Sequence, residues 1–360
     1  MTRSSVTLRF SRFMAAALLC LLPGAVAAAS LDDEFVTWKR HWAVTEKKFE
    51  ISAKRFRLNK NLRHPRPVIL IHGLLVDSRF LDYGRTSLAR YLADAGFDVW
   101  NLSLRGTGRS LNPLGWGKKP WNLDDILKDD LPAVLEYVRE TTGEAEVFMV
   151  GFDLGGALAF AHAGTVPEHG VAGIVGIAAP MSFDSPEQDG LDVLLRLDRN
   201  PTLRNALLYW SSSALNRYLF MLPGLKDVFY NPGNMDPRVA QQLQETLLIP
   251  VNPGVLDQLT TIVDRDEFVS ADGAVSYRDA LSNIRVPVLL VGGAADPIAP
   301  PEALKTVYSE IASEDRDLMI FWSDPEEDTR YGHFDLILGR NARKEVFPLI
   351  RRWLELQDRR

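Results

Sequence analysis

The sequence predicts an α/β fold in which a mostly parallel sheet is covered by helices on both faces. Short apolar strands alternate with segments of helical spacing along most of the chain, which is typical of a doubly covered sheet. At residues 146–163 an apolar strand, a glycine-rich turn and an alanine-rich helix follow one another directly. Between residues 181 and 283 the alternation is interrupted. We therefore expect one large domain that carries a helical cap insertion.

The individual elements can be placed in order along the chain. Residues 49–58 alternate between apolar and polar side chains, which predicts part of an antiparallel hairpin. Pro132 lies inside a long helical pattern, where we expect a kink. Further strands are predicted at 68–71, 97–104, 146–150, 173–178, 286–291 and 318–322, and helices at 86–95, 123–142, 157–163 and 346–356.

The amino-terminal segment, residues 1–29, predicts an export signal. It begins with three arginines and no acidic residue, and an apolar run follows at 14–22. Ala27 and Ala29 then form the small-x-small pattern that precedes cleavage. The apolar run is short for a membrane span, so an uncleaved anchor is the alternative. Cleavage removes Cys20, the only cysteine, and therefore excludes disulfide and thiol chemistry from the mature protein.

The rest of the chain divides into a core and a cap. We expect residues 30–181 and 285–360 to form the α/β core, and residues 182–284 to form the cap or lid. The cap segment mixes short helical patterns with Pro-Gly breaks and is rich in aromatic residues. We expect some of these to line an apolar pocket and others to pack within the cap. They are Tyr209, Trp210, Tyr218, Phe220, Phe229 and Tyr230, together with Met221.

Composition narrows the class of partner. The formal net charge is −6 at pH 7 and no block of basic residues is present, which argues against a nucleic-acid partner. The turn at residues 105–108 lacks the Lys-Ser/Thr ending of a phosphate loop, so we expect it only to support the site. No metal or cofactor is expected. The predicted partner is a small apolar substrate, and membrane contact is expected only through an uncleaved amino-terminal segment.

The turn at residues 151–156 has the layout of a nucleophile elbow. Such a turn leads sharply from a strand to a helix and holds a reactive side chain above the sheet. Gly151 and Gly155 are small enough for the tight turn and for close packing of the helix on the strand. The usual residue at the apex is serine. Here it is Asp153, which becomes the candidate nucleophile.

A base and an acid follow in the expected chain order. His333 lies beyond the last predicted strand and is the candidate base. Asp296 comes just after the predicted strand at 286–291, where it can accept a hydrogen bond from His333 and fix the tautomer. Asp184 is an alternative acid. Asp335 is less favoured because it is so near to His333 in sequence.

A pair of backbone N–H groups is predicted beside the elbow. His72 and Gly73 end the first long strand, which places the Leu74 N–H close to the Leu154 N–H. Two such donors form an oxyanion hole. Each feature is weak by itself, but all of them lie at the carboxyl ends of predicted strands. Together they predict an Asp153–His333–Asp296 triad.

With these motifs, the chain resembles the α/β-hydrolase family over nearly all of its length after the signal. Residues 131–156 and 332–336 are similar to bacterial relatives of acid lipases and polyhydroxyalkanoate synthases, a resemblance that implies serine or cysteine at position 153. Asp153 instead resembles the nucleophile of haloalkane dehalogenases and epoxide hydrolases, which attack carbon through a carboxylate. Those families have tryptophan where this chain has Leu154, and proline where it has Leu75.

Chemistry separates the functional hypotheses. Attack of a carboxylate on an ester carbonyl gives a mixed anhydride, whereas attack on a saturated carbon gives an alkyl ester that a histidine-activated water can hydrolyse. The triad therefore predicts hydrolysis of an apolar epoxide or halide through a covalent Asp153 intermediate. The overall resemblance favours the alternative of a lipase or esterase. A non-catalytic protein that binds an apolar ligand is a third hypothesis, against which the complete triad counts.

Overall fold

A single mixed sheet forms the centre of the computed structural model, which describes residues 35–110, 120–183, 225–247, 249–322 and 330–360. In spatial order the described strands are β1, β2, β4, β3, β5, β6, β7 and β8. They comprise β1 (Val36–Val44), β2 (Glu50–Leu58), β3 (Val68–Ile71), β4 (Val99–Leu102), β5 (Val147–Phe152), β6 (Val171–Ile177), β7 (Val288–Gly293) and β8 (Arg316–Phe321). β2 is antiparallel to both β1 and β4, and all other neighbours are parallel. The predicted mostly parallel sheet is confirmed.

Helices connect these strands and cover the sheet. They are α1 (Leu88–Asp94), α2 (Leu123–Asp125), α3 (Leu131–Thr142), α4 (Leu154–Thr165), α5 (Leu225–Phe229), α6 (Pro237–Gln242), α7 (Pro253–Arg265), α8 (Pro301–Glu310), α9 (Asp335–Leu338) and α10 (Ala342–Asp358). Short 3-10 helices occur at Gly84–Thr86 and Asp279–Asn283, and π-helical segments at Ile126–Asp130 and Leu243–Leu247.

One predicted helix differs from the structure, and one strand was not predicted. The helix expected at 123–142 is divided by the π-helical segment Ile126–Asp130, and Pro132 lies in the first turn of α3. Proline fits that position because the N–H groups of a first turn have no helical acceptor. The edge strand β1 was not predicted. Trp38 and Trp42 on it are about half exposed, so the strand lacks the buried pattern that marks its neighbours.

The elbow helix α4 is buried along nearly its whole length. Gly156 packs so closely on the next connection that a Cβ atom there would lie 2.5 Å from Cβ of Ala179. His162, on the same helix, is 2% exposed, and burial lowers its pKa to about 4. A neutral His162 thus serves packing. The apolar environment fixes the elbow rigidly against the sheet.

The described elements belong to the compact unit Val36–Arg360. The predicted signal at residues 1–29, the alternative acid Asp184 and the aromatic residues between 209 and 221 lie outside the described residues. Between β6 and β7 the described residues form helices α5, α6 and α7. The cap boundaries at 182–284 stay a prediction. Within the described ranges, every helix is too short or too polar to cross a membrane.

Candidate active site

Asp153 lies at the apex of the turn between β5 and α4. Its backbone has φ 52° and ψ −124°, a conformation that non-glycine residues rarely adopt. Gly151 and Gly155 make the turn possible. A Cβ atom on Gly155 would collide with the carbonyl oxygens of Ile71 and His72, and one on Gly151 would collide with the backbone of the helix start. Strain of this kind persists only where the surrounding structure enforces it, as at reactive centres.

The Asp153 carboxylate is bound by the two backbone donors expected from the sequence. The Leu74 N–H donates to Oδ2 at 2.8 Å, and the Leu154 N–H also bonds the carboxylate. Gly73 permits this approach, since a Cβ atom there would lie 2.7 Å from Oδ2. The donors therefore hold an oxygen of the nucleophile itself. In an enzyme with serine at the elbow, the same donors would be left for the substrate oxyanion.

His333 joins Asp153 to Asp296. Its Nδ1 lies 2.8 Å from Oδ2 of Asp296, and its Nε2 lies 3.8 Å from Oδ1 of Asp153. The second distance is longer than a hydrogen bond, so the ring faces the carboxylate without being bonded to it. Oδ1 of Asp296 accepts bonds from the backbone N–H groups of Ile298 and Ala299, both at 2.9 Å. These bonds fix the carboxylate that orients the imidazole.

The loops that carry the base and the acid are tied to each other. The Ala295 N–H donates to the Tyr331 carbonyl at 2.9 Å. Asp335 is fully buried and accepts bonds from the Gly332 N–H and from the Asn234 side chain. Burial raises the pKa of Asp335 to about 6, against the effect of these donors. Asp335 therefore holds the His333 loop in place and does not compete with Asp296 as the partner of the ring.

His72 has a supporting position behind the Leu74 donor. It is 1% exposed, its Nδ1 lies 2.8 Å from the Gly73 carbonyl, and its Nε2 accepts a bond from the Leu104 N–H. Burial lowers its pKa, which favours the neutral ring that these two contacts require. The ring thereby links the loop after β3 to the loop after β4. Its role is to position the loop, as the sequence suggested.

Burial and charge act in opposite directions at the reactive pair. Burial raises the pKa of Asp153, and the His333 ring and the two N–H groups offset part of that rise. Burial lowers the pKa of His333, but the carboxylates of Asp296 and Asp153 outweigh it, so the net pKa is raised. The Asp153 side chain keeps 15% of its surface accessible, against 1% for His333. The carboxylate is therefore the group that a ligand can reach.

An apolar pocket opens onto Asp153. It encloses about 730 Å³ of empty space, part of it open to solvent, and Asp153 is its only polar residue among the described lining residues. Helix α7 forms one wall and the loop after β6 another. The helix contributes Leu256, Leu259 and Val263, the loop contributes Phe183, and Phe268 lines the pocket from the segment after α7. A carboxylate at the base of an apolar pocket suits a substrate with little polarity near the reacting atom.

The structure brings together the residues predicted for the triad, the oxyanion hole and the elbow, whereas the alternative acid Asp184 is not among the described residues. Their catalytic roles remain predictions, since position alone does not establish chemistry. Phe229 and Tyr230, the two predicted cap aromatics that are described, do not line the pocket, and Phe229 stacks on Phe334 instead. The other predicted cap residues lie outside the described ranges, so their place in the pocket stays a prediction. Phe183 and Phe268 line it and were missed, because isolated aromatic residues in loops carry no periodic signal.

Comparisons with known proteins agree with the fold. A family model described as alpha/beta hydrolase fold matches residues 66–242. Lipase member K of Mus musculus is 24% identical over 357 residues, which cover 88% of this chain and 88% of the mouse protein. The lysosomal acid lipase/cholesteryl ester hydrolase of Homo sapiens is 34% identical over 120 residues, which cover 31% of this chain and 30% of the human protein.

Solved structures of esterases share the architecture. An esterase from Exiguobacterium antarcticum superimposes with a TM-score of 0.61 at 17% identity, covering 87% of this chain and 98% of the esterase. A thermophilic esterase from Thermogutta terrifontis gives a TM-score of 0.60 at 19% identity, with coverage of 89% and 99%. At such identities the likeness establishes the fold alone.

Proposed function

Because the chain belongs to the α/β-hydrolase family and is similar to lipases and esterases, we propose that it hydrolyses an apolar, lipid-like substrate. The reaction takes place at Asp153, with His333 as the base and Asp296 as the group that orients it. The apolar pocket supports this substrate class, since its described lining is apolar except for Asp153. Two bond types compete as the target, and different observations favour each.

The geometry favours attack of Asp153 on a saturated carbon. The observation that carries this proposal is the Leu74 N–H bond to Oδ2, which leaves Oδ1 facing His333. Attack forms a C–O bond to Asp153 and breaks the bond to the leaving group. A halide departs as the free ion, whereas an epoxide oxygen stays on the neighbouring carbon as an alkoxide and takes up a proton from water. The product of this step is an alkyl ester of Asp153.

Hydrolysis of the alkyl ester completes the cycle. His333 Nε2 accepts a proton from water, and the resulting hydroxide attacks the carbonyl carbon of the Asp153 ester. Negative charge develops on Oδ2, which the Leu74 N–H already binds, and the Leu154 N–H bonds the same carboxylate. Collapse releases the alcohol and regenerates the carboxylate. The alcohol leaves with an oxygen from Asp153, and the water oxygen enters the carboxylate.

The comparisons favour ester hydrolysis, and they support it at least as well as the geometry supports attack on a saturated carbon. Lipases and esterases recur among the relatives and among the structural neighbours. In this candidate His333 activates water for direct attack on an ester carbonyl, and Asp153 assists as a second acceptor of the water protons. The substrate oxyanion would need the Leu74 N–H, so Oδ2 of Asp153 must first leave that donor.

A single-turnover experiment in ¹⁸O-labelled water separates the two candidates. Purified protein in excess is mixed with chain-length-matched haloalkane, epoxide and ester substrates, and the peptide that carries Asp153 is analysed by mass spectrometry. Label in Asp153 supports the alkyl-enzyme route. Label only in the released acid, with an unlabelled Asp153 peptide, supports direct ester hydrolysis and contradicts the alkyl-enzyme route. If no substrate is turned over, the non-catalytic binding hypothesis replaces both.

His333→Gln provides the matched variant. Without a base the first attack on carbon remains possible, whereas hydrolysis of the ester stalls, so the intact mass should rise by the alkyl group. Asp153→Asn should abolish that mass increase, because an amide is a far weaker nucleophile than a carboxylate. Circular dichroism of both variants checks that they are folded. A mass increase that persists in Asp153→Asn would assign the attack to another residue.

Export is part of the proposal. Residues 1–29 have the composition of a cleaved signal, and a lysosomal enzyme is among the relatives. After secretion from a bacterial host, the mature protein should begin at residue 30. Amino-terminal sequencing checks this, and retention of residue 1 in a membrane fraction would instead indicate an anchor.

A further inference from the structure

A polar cleft lies beside the apolar pocket and has no part in the chemistry above. It lies by the loops that follow β3 and β4, and it holds three guanidinium groups, those of Arg40, Arg79 and Arg109, against the single carboxylate of Asp77. We call it the arginine cleft. Arg40 belongs to edge strand β1, and the other charged residues belong to the two loops.

Two of the three arginines lack a carboxylate partner in the described part of the chain. Arg79 pairs with Asp77 through Nε at 2.9 Å. Arg40 donates only to the Ser52 hydroxyl, at 3.1 Å, and Arg109 is exposed. Burial lowers the pKa of Arg40, and the charge of Arg109 lowers it further, so these two guanidinium groups repel each other. An anion bound beside both would remove that repulsion.

The cleft also has a hydroxyl donor to offer. Oγ of Ser78 and Oγ of Ser103 lie 2.8 Å apart, and their mutual bond uses one of the two hydroxyl protons. The other proton is left for a ligand. Gly108 keeps the wall of the cleft open at this point, because a Cβ atom there would lie 2.6 Å from Oγ of Ser103. Guanidinium groups together with a hydroxyl are typical ligands of phosphate oxygens.

The arginine cleft and the apolar pocket are neighbours that share wall residues with one intervening cavity. Thr107, Ile249 and Pro250 border the cleft, and the same residues line an adjoining apolar cavity. That cavity in turn shares Leu74 and Leu154 with the pocket at Asp153. This succession of neighbouring cavities places the arginines beside the space that an apolar chain at Asp153 would occupy.

We propose that the arginine cleft binds a phosphate monoester group at the polar end of an amphipathic molecule whose apolar chain occupies the pocket at Asp153. This inference deepens the proposed function, on which it rests for the apolar end, and it narrows the substrate class to anionic amphiphiles. The arginines and the Ser78–Ser103 pair bind the charged group. The loop that carries Leu74 lies between this group and the reacting carbon.

Calorimetric titration tests the proposal without any need for turnover. The probes are octyl phosphate, octanol and inorganic phosphate, each added to the full-length protein below the micelle concentration. Octyl phosphate should bind at least about tenfold more tightly than either fragment, since it gains both the charged and the apolar contacts. Arg109→Gln should weaken octyl phosphate about tenfold, whereas octanol should be unaffected.

Arg85→Gln is the matched control. Arg85 is also exposed, on the 3-10 helix Gly84–Thr86, but it lies outside the cleft, so its substitution should leave all three affinities unchanged. Arg109→Lys, which keeps the charge, should restore part of the affinity for octyl phosphate. Because Arg109 is exposed, neither variant should lose its fold, and thermal unfolding verifies this.

The possible outcomes test the proposed phosphate site separately from the proposed hydrolysis. The cleft is not a phosphate site if octyl phosphate and octanol bind with equal affinity, or if Arg109→Gln does not weaken octyl phosphate. Neither result contradicts the chemistry proposed at Asp153. Inorganic phosphate that binds as tightly as octyl phosphate assigns the cleft to a free anion and overturns the amphipathic ligand. Tight, Arg109-dependent binding of octyl phosphate to a protein that turns over no substrate supports the site and contradicts only the proposed hydrolysis.

Discussion

The Leu74 N–H binds Oδ2 of Asp153 at 2.8 Å, so the elbow carboxylate satisfies the donor that would otherwise meet a substrate oxygen. This single bond separates the two proposed chemistries. It pre-arranges the ester carbonyl of an alkyl-enzyme for attack by water, because the charge that develops on Oδ2 is stabilised from the start. For an external ester the same bond is an obstacle. Substitutions at position 153 therefore have opposite consequences for the two substrate classes.

Asp153→Ser should give the protein ester hydrolase activity through a serine nucleophile. The shorter side chain vacates the Leu74 N–H and places a hydroxyl near Nε2 of His333, which can then act as its base. We expect kcat/KM for medium-chain p-nitrophenyl esters to exceed that of Asp153→Ala by about a hundredfold or more. Asp153→Ala is the control, because it frees the same donor without supplying a nucleophile. Equal rates for the two variants would mean that the pocket does not present an ester carbonyl to position 153.

The hydrolytic step should gain rate as pH rises. The carboxylates around His333 raise its pKa above the ordinary value of 6.5, and only the neutral ring can accept a proton from water. The rate of alkyl-enzyme decay should therefore fall as pH drops through the pKa of His333, which the Asp296 carboxylate still raises when Asp153 is an ester. Asp296→Asn removes one of these carboxylates, so the midpoint should move to lower pH. Its plateau should also fall, since the ring orientation is held less firmly.

Quenched-flow measurement of alkyl-enzyme decay checks both parts of this prediction. The pH is varied from about 5 to about 9, roughly the range over which histidine titrates. Asp335→Asn is a useful comparison, because Asp335 holds the loop and does not bond the ring. It should alter stability more than the midpoint. A midpoint that is the same in wild type and Asp296→Asn would exclude Asp296 as the partner that sets the basicity of His333.

Gly155→Ala should destabilise the protein strongly. Its Cβ atom would meet the carbonyl oxygens of Ile71 and His72, which are backbone atoms of a buried strand end and cannot move aside easily. We expect a loss of about 3 kcal/mol in the free energy of unfolding. Gly84→Ala is the control: its Cβ atom meets open space, but its φ of +49° carries a backbone penalty of about 1 kcal/mol. Urea unfolding midpoints measure both, and equal losses would show that the elbow relaxes.

Leu259→Trp should shift the substrate preference towards shorter alkyl chains. Leu259 is on α7 and lines the apolar pocket, so a larger side chain fills space that a long alkyl chain would occupy. Turnover of long-chain substrates should fall about tenfold or more relative to short-chain ones. Asp264→Trp, on the exposed side of the same helix, should leave the chain-length profile unchanged. If both variants have the wild-type profile, the substrate chain lies elsewhere.

Much of the fold could be read from runs of apolar residues. Strand β3 has the predicted bounds, because four consecutive apolar residues buried on both faces leave little ambiguity. The last helix was predicted at residues 346–356, but α10 extends over Ala342–Asp358. Its ends carry mainly charged side chains, which helical spacing of apolar residues does not detect.

The site was predictable in its members and not in its contacts. Chain order and strand ends were sufficient to place Asp153, Asp296 and His333 together. The bond from Leu74 to Oδ2 depends on the direction of a backbone N–H and on the space above Gly73. The arginine cleft was equally hidden, since Arg40 is far from Arg109 in sequence and they meet only through the pairing of β1 and β2 with the rest of the sheet.

The left-handed backbone of Asp153 has a consequence for how such an elbow can change its chemistry over time. Serine codons of the AGY type and aspartate codons are connected through glycine or asparagine by a single base change at each step. Both intermediates are the residues that accept a positive φ most readily. A gene can therefore pass between a hydroxyl and a carboxylate at position 153 without unfolding its product, and the intervening protein would be an inert but intact member of the lineage.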